Sequence, residues 1–400
     1  MEHRTLQEAA SRFGTPAYVF DLDKLSHRME TLRGLLGSRP ELCFAMKANP
    51  FLTGALRELA DRFEVCSPGE YDICRSLQIP QEKLVISGVN KSPEDTARMM
   101  DDCPNMGRYT AESPAQWELL HRCAKERGRK VPVLLRLTSG NQFGMEESDI
   151  RRIVSMREEY PFLEIAGLQQ YSGTQKHSAK RLQRQLDRLD ELIASLREEF
   201  GFVTQELEYG PGLPVFYFQD DEAFDEDAFL KEFGAMLDAM AFDGQITLEL
   251  GRSIAADCGY YLTAAADCKT NKGQNYVILD GGLHQMNYYG QSMAMKMPTV
   301  YRLEERDGEE MPWNLCGSLC TVNDILVKQL PVADLQPGDV FVFEKAGAYS
   351  VTEGMALFLS RDLPAVLAWS EKDGFRVLRE RQSVSPLNTA HTFLKKDYDK

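Results

Sequence analysis

The sequence is short of the residues that build metal centres and disulfide frameworks. It has six histidines and nine cysteines in 400 positions. No CxxC, HxxxH or HExxH pattern occurs, and the cysteine count is odd. Several thiols, Cys43 and Cys66 among them, sit inside apolar runs. A metal enzyme and a disulfide-stapled domain are therefore disfavoured, and reduced thiols in a cytoplasmic protein are expected. Positive charge is scarce too: 46 Lys and Arg stand against 61 Asp and Glu, a formal charge of -15. That argues against nucleic acid or an anionic membrane as a partner. No apolar run approaches the roughly 20 residues of a spanning helix. The opening "MEHRTLQEAASRFG" is polar and amphipathic, without an apolar signal core. There is no repeated sequence, and no GxGxxG follows the first strand-like run of the chain.

What is present is a pattern. The chain is 43% hydrophobic and 27% charged, and long enough for two domains. Short apolar runs recur at 43–48, 63–67, 84–88, 106–110, 133–137, 167–171, 207–210 and 247–250. Helical patterns lie between them. In "SAKRLQRQLDRLDELIASLREEF", Leu182, Leu186, Leu189, Ile193, Leu196 and Phe200 recur at helical spacing. Ser67-Pro68-Gly69-Glu70, Ser92-Pro93-Glu94-Asp95 and Ser113-Pro114 mark helix starts. Eight strand–helix units in about 240 residues have the size of a (β/α)8 barrel of the α/β class. After residue 256 the runs "GYYLTAAADC", "NYVILDGG", "GDVFVFEKAGAYS" and "AVLAW" are separated by turns. They predict a C-terminal, mostly antiparallel β domain, with "EERDGEEMPW" as an exposed acidic loop. The expected division is a barrel over 17–256, with 1–16 and 257–400 forming the β domain.

One strand end carries an unexpected charge. In "ELCFAMKANP" an apolar run ends on Lys47. A buried ammonium loses its proton or finds a partner. With a lowered pKa it is an amine nucleophile towards aldehydes; otherwise its head reaches an acid or water. "SGTQ" at 172–175 and "YGPG" at 209–212 offer backbone N–H groups that can cradle a phosphate. "LELGRS" ends the eighth run with Glu249 and Arg252, and a buried carboxylate there needs a cationic or protonated partner.

"FAMKANP", "EVCSPGE", "ISGVNKS", "FGM", "SGTQ", "YGPG", "ELGR", "LDGG", "GSLCTVND" and "GAYS" follow one another in a set order. In that order and spacing the chain, from about residue 15 to 370, resembles the fold-type III pyridoxal-phosphate decarboxylases. These are the diaminopimelate and ornithine decarboxylases, distant relatives of alanine racemase. The resemblance implies a (β/α)8 barrel with a C-terminal β domain, and pyridoxal 5'-phosphate as cofactor. It further implies an amino-acid substrate and a homodimer with shared active sites. Lys47 matches the lysine that binds the cofactor covalently, and Glu249 the carboxylate on the pyridine nitrogen. Thr174, Gly210, Gly212, Gly251, Arg252 and Tyr349 match phosphate-side positions. Tyr171 stands where the family usually has a stacking His. Arg136 and Glu64 match polar residues under the cofactor. Cys320 matches the proton-donating cysteine, and Asp324 lies in the segment that reaches the partner's site.

Departures bear on the substrate. Thr321 follows Cys320 where diaminopimelate decarboxylases carry a Glu for the distal amine. Met297 precedes Pro298 where they carry an Arg for the distal carboxylate, and Lys296 is one residue off. Met297, Tyr301, Thr321 and Asp324 are thus candidate substrate contacts, lacking the usual charges at two places. Leu250 and Pro211 replace a Pro and a Gly of the usual motifs, sparing the groups that touch cofactor. "GSLCTVND" is similar to the branch acting on modified amino acids, such as citryl-diaminopropionate or carrier-linked glutamyl groups. A racemase or epimerase on the same scaffold, and a non-catalytic cofactor-binding protein, are the competing readings.

Overall fold

A computed structural model describes residues 1–288 and 294–390. The chain divides into two compact units: Ser26–Val215 with Ala223–Ile254, and Met1–Leu25 with Phe216–Glu222 and the chain from Ala255 onward. The strand over 17–21 falls in the second unit, so the barrel unit begins later than the expected residue 17. The last ten residues of the expected 257–400 segment lie outside the described residues.

The first strand, β1 (Ala17–Asp21), belongs to the second unit's sheet. The next eight are β2 (Pro40–Ala45), β3 (Arg62–Val65), β4 (Leu84–Ile86), β5 (Arg108–Ala111), β6 (Val131–Leu137), β7 (Leu163–Tyr171), β8 (Glu206–Gly210) and β9 (Gln245–Leu250). They form a closed parallel barrel in sequence order, sealed by β2 pairing with β9. All eight predicted runs are barrel strands.

Each strand splits its residues between two environments, because side chains alternate faces with a period of two. Leu42, Phe44, Phe63, Val65, Leu207, Tyr209, Leu248 and Leu250 are buried and apolar. Glu41, Arg62, Glu64, Glu206, Glu208, Thr247 and Glu249 fill the alternate positions. These meet inside the cylinder. Arg62 on β3 reaches Glu206 on β8, a strand it does not adjoin, at 3.2 Å, and Glu41 on β2 at 2.8 Å. Arg108 on β5 also closes on Glu206. This network sits where the strands begin.

The helix starts follow their local chemistry. Ser67, Ser92 and Ser113 accept from the N–H three residues on, each followed by Pro in the first turn. Glu70 returns the favour by accepting from Cys66 N–H at 2.6 Å. The long helix runs Ala179–Phe200 and buries Leu182, Leu186, Leu189, Leu192 and Leu196. Leu192 joins the face, and Ile193 and Phe200 lie only half-buried.

The second unit holds β10 (Gly259–Asn271), β11 (Gln274–Leu279), β12 (Val300–Arg302), β13 (Glu310–Cys316), β14 (Ile325–Ala333), β15 (Val340–Phe343), β16 (Ala365–Ser370) and β17 (Gly374–Arg379). With β1 they make a nine-stranded sheet among the described residues, in the order β14-β13-β11-β10-β1-β16-β17, with β15 on β10 and β12. Pairing is antiparallel except β1 with β16 and β11 with β13. A core of Leu6, Val19, Leu262, Val342 and Leu367 anchors it. The acidic stretch at 304–313 is a loop only in its first half. Residues from Glu310 form β13, whose exposed start hides its strand character in the sequence. All nine cysteines are free thiols. Among the described residues no helix is long and apolar enough to cross a membrane.

Candidate active site

Lys47 follows β2 on a single 3-10 turn, Met46–Ala48. Asn49 accepts from Phe51 N–H at 3.1 Å and, with Pro50, starts the next turn, which fixes the lysine's position. Its Nζ donates to Glu64 Oε2 at 2.6 Å and Glu249 Oε1 at 3.2 Å, with Cys66 Sγ at 3.8 Å. The two carboxylates are almost wholly buried, while the lysine side chain is 40% exposed. The ammonium therefore lies at the C-terminal end of the barrel, the end where barrel enzymes place their chemistry.

The electrostatics differ from one branch of the sequence expectation. Burial pulls the Lys47 pKa down, but Glu249 and Glu64 outweigh it and hold it well above the usual value. The lysine has found its partners rather than shed its proton. Burial also opposes ionisation of Glu64, yet the Lys47 charge and hydrogen bond bring that carboxyl below its ordinary range. Glu249 goes the other way. Burial, then the Glu64 charge, push it up to about 7 against the pull of Lys47. One cation thus serves two carboxylates and satisfies Glu64 better. Glu249 is left suited to a further cationic N–H.

Around this pair lie groups the sequence singled out. Tyr171 ends β7; burial, then Glu249, raise its hydroxyl pKa, while Lys47, Thr174 and Arg252 oppose the shift. Gly210 lies under its ring: a Cβ there would fall 2.5 Å from Tyr171 Cδ2. Gly212 has φ +64°, and its Cβ would meet Gly173 O at 2.0 Å. The 172–175 and 210–212 turns are therefore packed backbone on backbone, joined by Lys176 N–H donating to Gly212 O at 2.9 Å. A Cβ at Gly251 would touch the Ala48 side chain at 3.1 Å, so the strand after Glu249 abuts the Lys47 turn. These closely packed turns, an amine and a carboxylate needing a cation match the phosphate, aldehyde and ring nitrogen of pyridoxal phosphate.

Arg136 makes a buried ion pair with Glu112, and its guanidinium lies 5.1 Å from the Phe143 ring centroid. Glu112 also accepts from Gly144 N–H, tying down the "FGM" segment. The remaining candidates belong to the second unit. Cys320 is exposed, next to Thr321 and the strongly exposed Val322. Asp324 is buried, and its two oxygens accept from Leu283 N–H at 2.7 Å and Leu319 N–H at 2.8 Å. It clamps the base of the Cys320 loop. Tyr301 stacks on His3 at 4.8 Å and packs against the sheet core. Met297 is half-buried, and its carbonyl accepts from Gln219 N–H at 2.7 Å. Tyr349 has φ +67° and half-buried.

The sequence reading missed Glu112, Gln169, Glu208 and Cys66. Gln169 Nε2 donates to Glu249 Oε2 at 3.0 Å. Their signal was available: Gln169 and Glu208 on β7 and β8, and Glu112 and Cys66 one residue past β5 and β3, each stand two positions from another polar side chain, Tyr171, Glu206, Thr110 and Glu64.

The sequence profile of the alanine racemase N-terminal domain matches residues 20–205. The diaminopimelate decarboxylase of Haemophilus influenzae is 27% identical over 372 residues, 88% of this chain and 87% of that protein. The chain is homologous to the diaminopimelate decarboxylases. Its homologues also include decarboxylases of modified amino acids. Of these, an L-glutamyl acyl-carrier-protein decarboxylase of Niallia circulans is 24% identical, spanning 91% of each chain. The crystal structure of Helicobacter pylori diaminopimelate decarboxylase complexed with L-lysine has a TM-score of 0.84 at 23% identity, over 96% of this chain and 98% of that one. At that identity the likeness is one of fold, and it covers barrel and β domain together.

Proposed function

We propose that the chain is a pyridoxal 5'-phosphate-dependent amino-acid decarboxylase, working in the cytoplasm as a homodimer. The observation that carries this reading is Lys47 bridging Glu64 and Glu249 at the C-terminal end of the barrel. When bound, the cofactor offers an aldehyde to amines and an electron-poor ring to the electron pair of a breaking Cα–carboxylate bond. The chain's residues divide the remaining work. Lys47 would hold the cofactor covalently. Glu249 would accept from a protonated ring nitrogen, which would relieve its own unfavourable ionisation. That would also leave Lys47 with one carboxylate fewer and a more easily lost proton. Gly210, Gly212, Thr174 and Arg252, with Tyr349 by resemblance, would hold the phosphate, and Tyr171 would cover the ring. Cys320 Sγ, from the partner, returns a proton to Cα after carbon dioxide leaves. Its exposure on the second unit suits a group delivered to another subunit.

For the substrate class we favour a modified or conjugated amino acid. Thr321 and Met297 lack the charges that would grip a free distal amine and carboxylate. Two homologues act, by their names, on an L-glutamyl acyl-carrier protein and on a citrate-derived alanyl amide.

The test is a mass-spectrometric screen of the loaded protein for carbon dioxide and amine. The panel is meso-diaminopimelate, ornithine, lysine, arginine and carboxyl-bearing conjugates. Release of gas from a conjugate supports the reading; an enantiomer without gas would favour a racemase. Cys320→Ala is expected to slow turnover by about 10²–10⁴-fold with the cofactor still bound. Unchanged turnover would remove Cys320 from the mechanism.

A further inference from the structure

The barrel interior holds a third carboxyl that the proposed chemistry does not use. Glu208 on β8 is 1% exposed, and neither of its oxygens has a hydrogen-bond partner. Gln169 is its register partner on β7 and faces its carboxyl. Gln169 Nε2 donates to Glu249 Oε2 at 3.0 Å, yet Gln169 Oε1 is itself a buried acceptor with no donor. Three orphaned oxygens therefore lie on two adjacent side chains, next to the carboxylate that needs a fixed charge. Leaving such atoms unpaired is costly, and one hydrogen between Glu208 and Gln169 Oε1 pairs two of the three.

We infer that Glu208 carries a proton, donates it to Gln169 Oε1, and so locks the Gln169 amide with its N–H on Glu249. The hydroxyl hydrogen satisfies the Gln169 acceptor and removes the charge from Glu208. The amide can then present only its nitrogen to Glu249. Glu208 is a positioning residue: it acts on Glu249 through Gln169. The surroundings favour the proton. Glu249 on β9 and Glu64 on β3 face Glu208, with Cys43 on β2, while Arg62 on β3 and then the Gln169 amide act the other way and favour its ionised form. Burial first, then Glu249 and Glu64, push the Glu208 carboxyl up to about 8. The inference bears on the proposed activity through Glu249 alone, and it holds for the protein before cofactor is added.

The experiment is an infrared pH titration of the cofactor-free protein, with E208Q and E249Q used to assign bands. A carboxylic-acid band present at pH 7, absent from E208Q and fading as pH passes about 8, is expected. E208L is expected to raise the Glu249 midpoint by about one unit, because its donor is released. E208Q keeps an N–H on Gln169 and should leave that midpoint in place. Gln169→Met breaks the same relay in the middle and should reproduce the E208L shift if E208L does not fold. An ionised Glu208 at pH 7 overturns the proton; a Glu249 midpoint unmoved by E208L or Gln169→Met overturns the relay. Absence of turnover in the loaded protein would count against the decarboxylase reading and leave these results standing.

Discussion

At the N-terminal mouth of the barrel two arginines meet two carboxylates. Arg62 reaches Glu41 at 2.8 Å and Glu206 at 3.2 Å, and Arg108 closes on Glu206. At the opposite mouth one lysine serves Glu64 and Glu249, and Glu208 below them has no ion-pair partner among the described residues. The two ends share β3 and β8, where Arg62 and Glu64, and Glu206 and Glu208, stand two positions apart. The first set is mutually satisfied, so its carboxylate is settled: burial notwithstanding, the two arginines hold Glu206 below the usual range. The second is short of positive charge, so Glu249 and Glu208 are pushed upward. A closed network stabilises the cylinder; an incomplete one is a place for a ligand to complete.

Substitutions at the two mouths should separate these roles. The largest effect on stability belongs to the closed end. Glu206→Leu leaves Arg62 and Arg108 in the barrel without their shared partner and is expected to cost about 3–5 kcal/mol in urea unfolding. Cofactor affinity should be unchanged, and a large loss of affinity would merge the two ends. A smaller cost, about 1–3 kcal/mol, is expected for Gly212→Ala, whose Cβ has no room at a positive φ. There the accompanying loss should be in pyridoxal-phosphate affinity, read by titrating the visible absorbance.

The smallest effect is in pH dependence, and its sign differs between the ends. Glu206 has a folded pKa below its unfolded one, so its contribution is present above about 4.5 and lost in acid. Glu208 has a folded pKa above its unfolded one, so its contribution is present in acid and lost as pH rises through about 8. Relative to the native protein, E206Q should therefore converge in stability as pH falls, and E208Q should gain as pH rises from about 5 to about 8. Differences against the native protein cancel His284, Lys91 and Lys176, whose folded values are lowered and whose slopes oppose that of Glu208. Parallel curves for the two variants would contradict the contrast.

Much of this was legible in the sequence. The eight strand runs and three Ser-Pro helix starts are local signals, and each produced its element. Lys47 was legible because a charge at the end of an apolar run has no local explanation. Its protonation state was not, since Glu64 and Glu249 come from strands 17 and 202 positions away. Closure of the barrel sets that balance, and closure leaves no mark in local pattern. Glu208 and Gln169 were hidden for a related reason. Inside "LEYG" and "GLQQY" they read as ordinary strand residues until the period of two is applied across neighbouring strands. Tyr301, whose motif position pointed to substrate, lies half-buried against the sheet core.

The most direct measurement is borohydride reduction of the protein incubated with pyridoxal phosphate, followed by peptide mass analysis. The account predicts a single reduced pyridoxyl adduct on Lys47, absent from Lys47→Ala. An unmodified Lys47, or label spread over surface lysines and retained in Lys47→Ala, would contradict it.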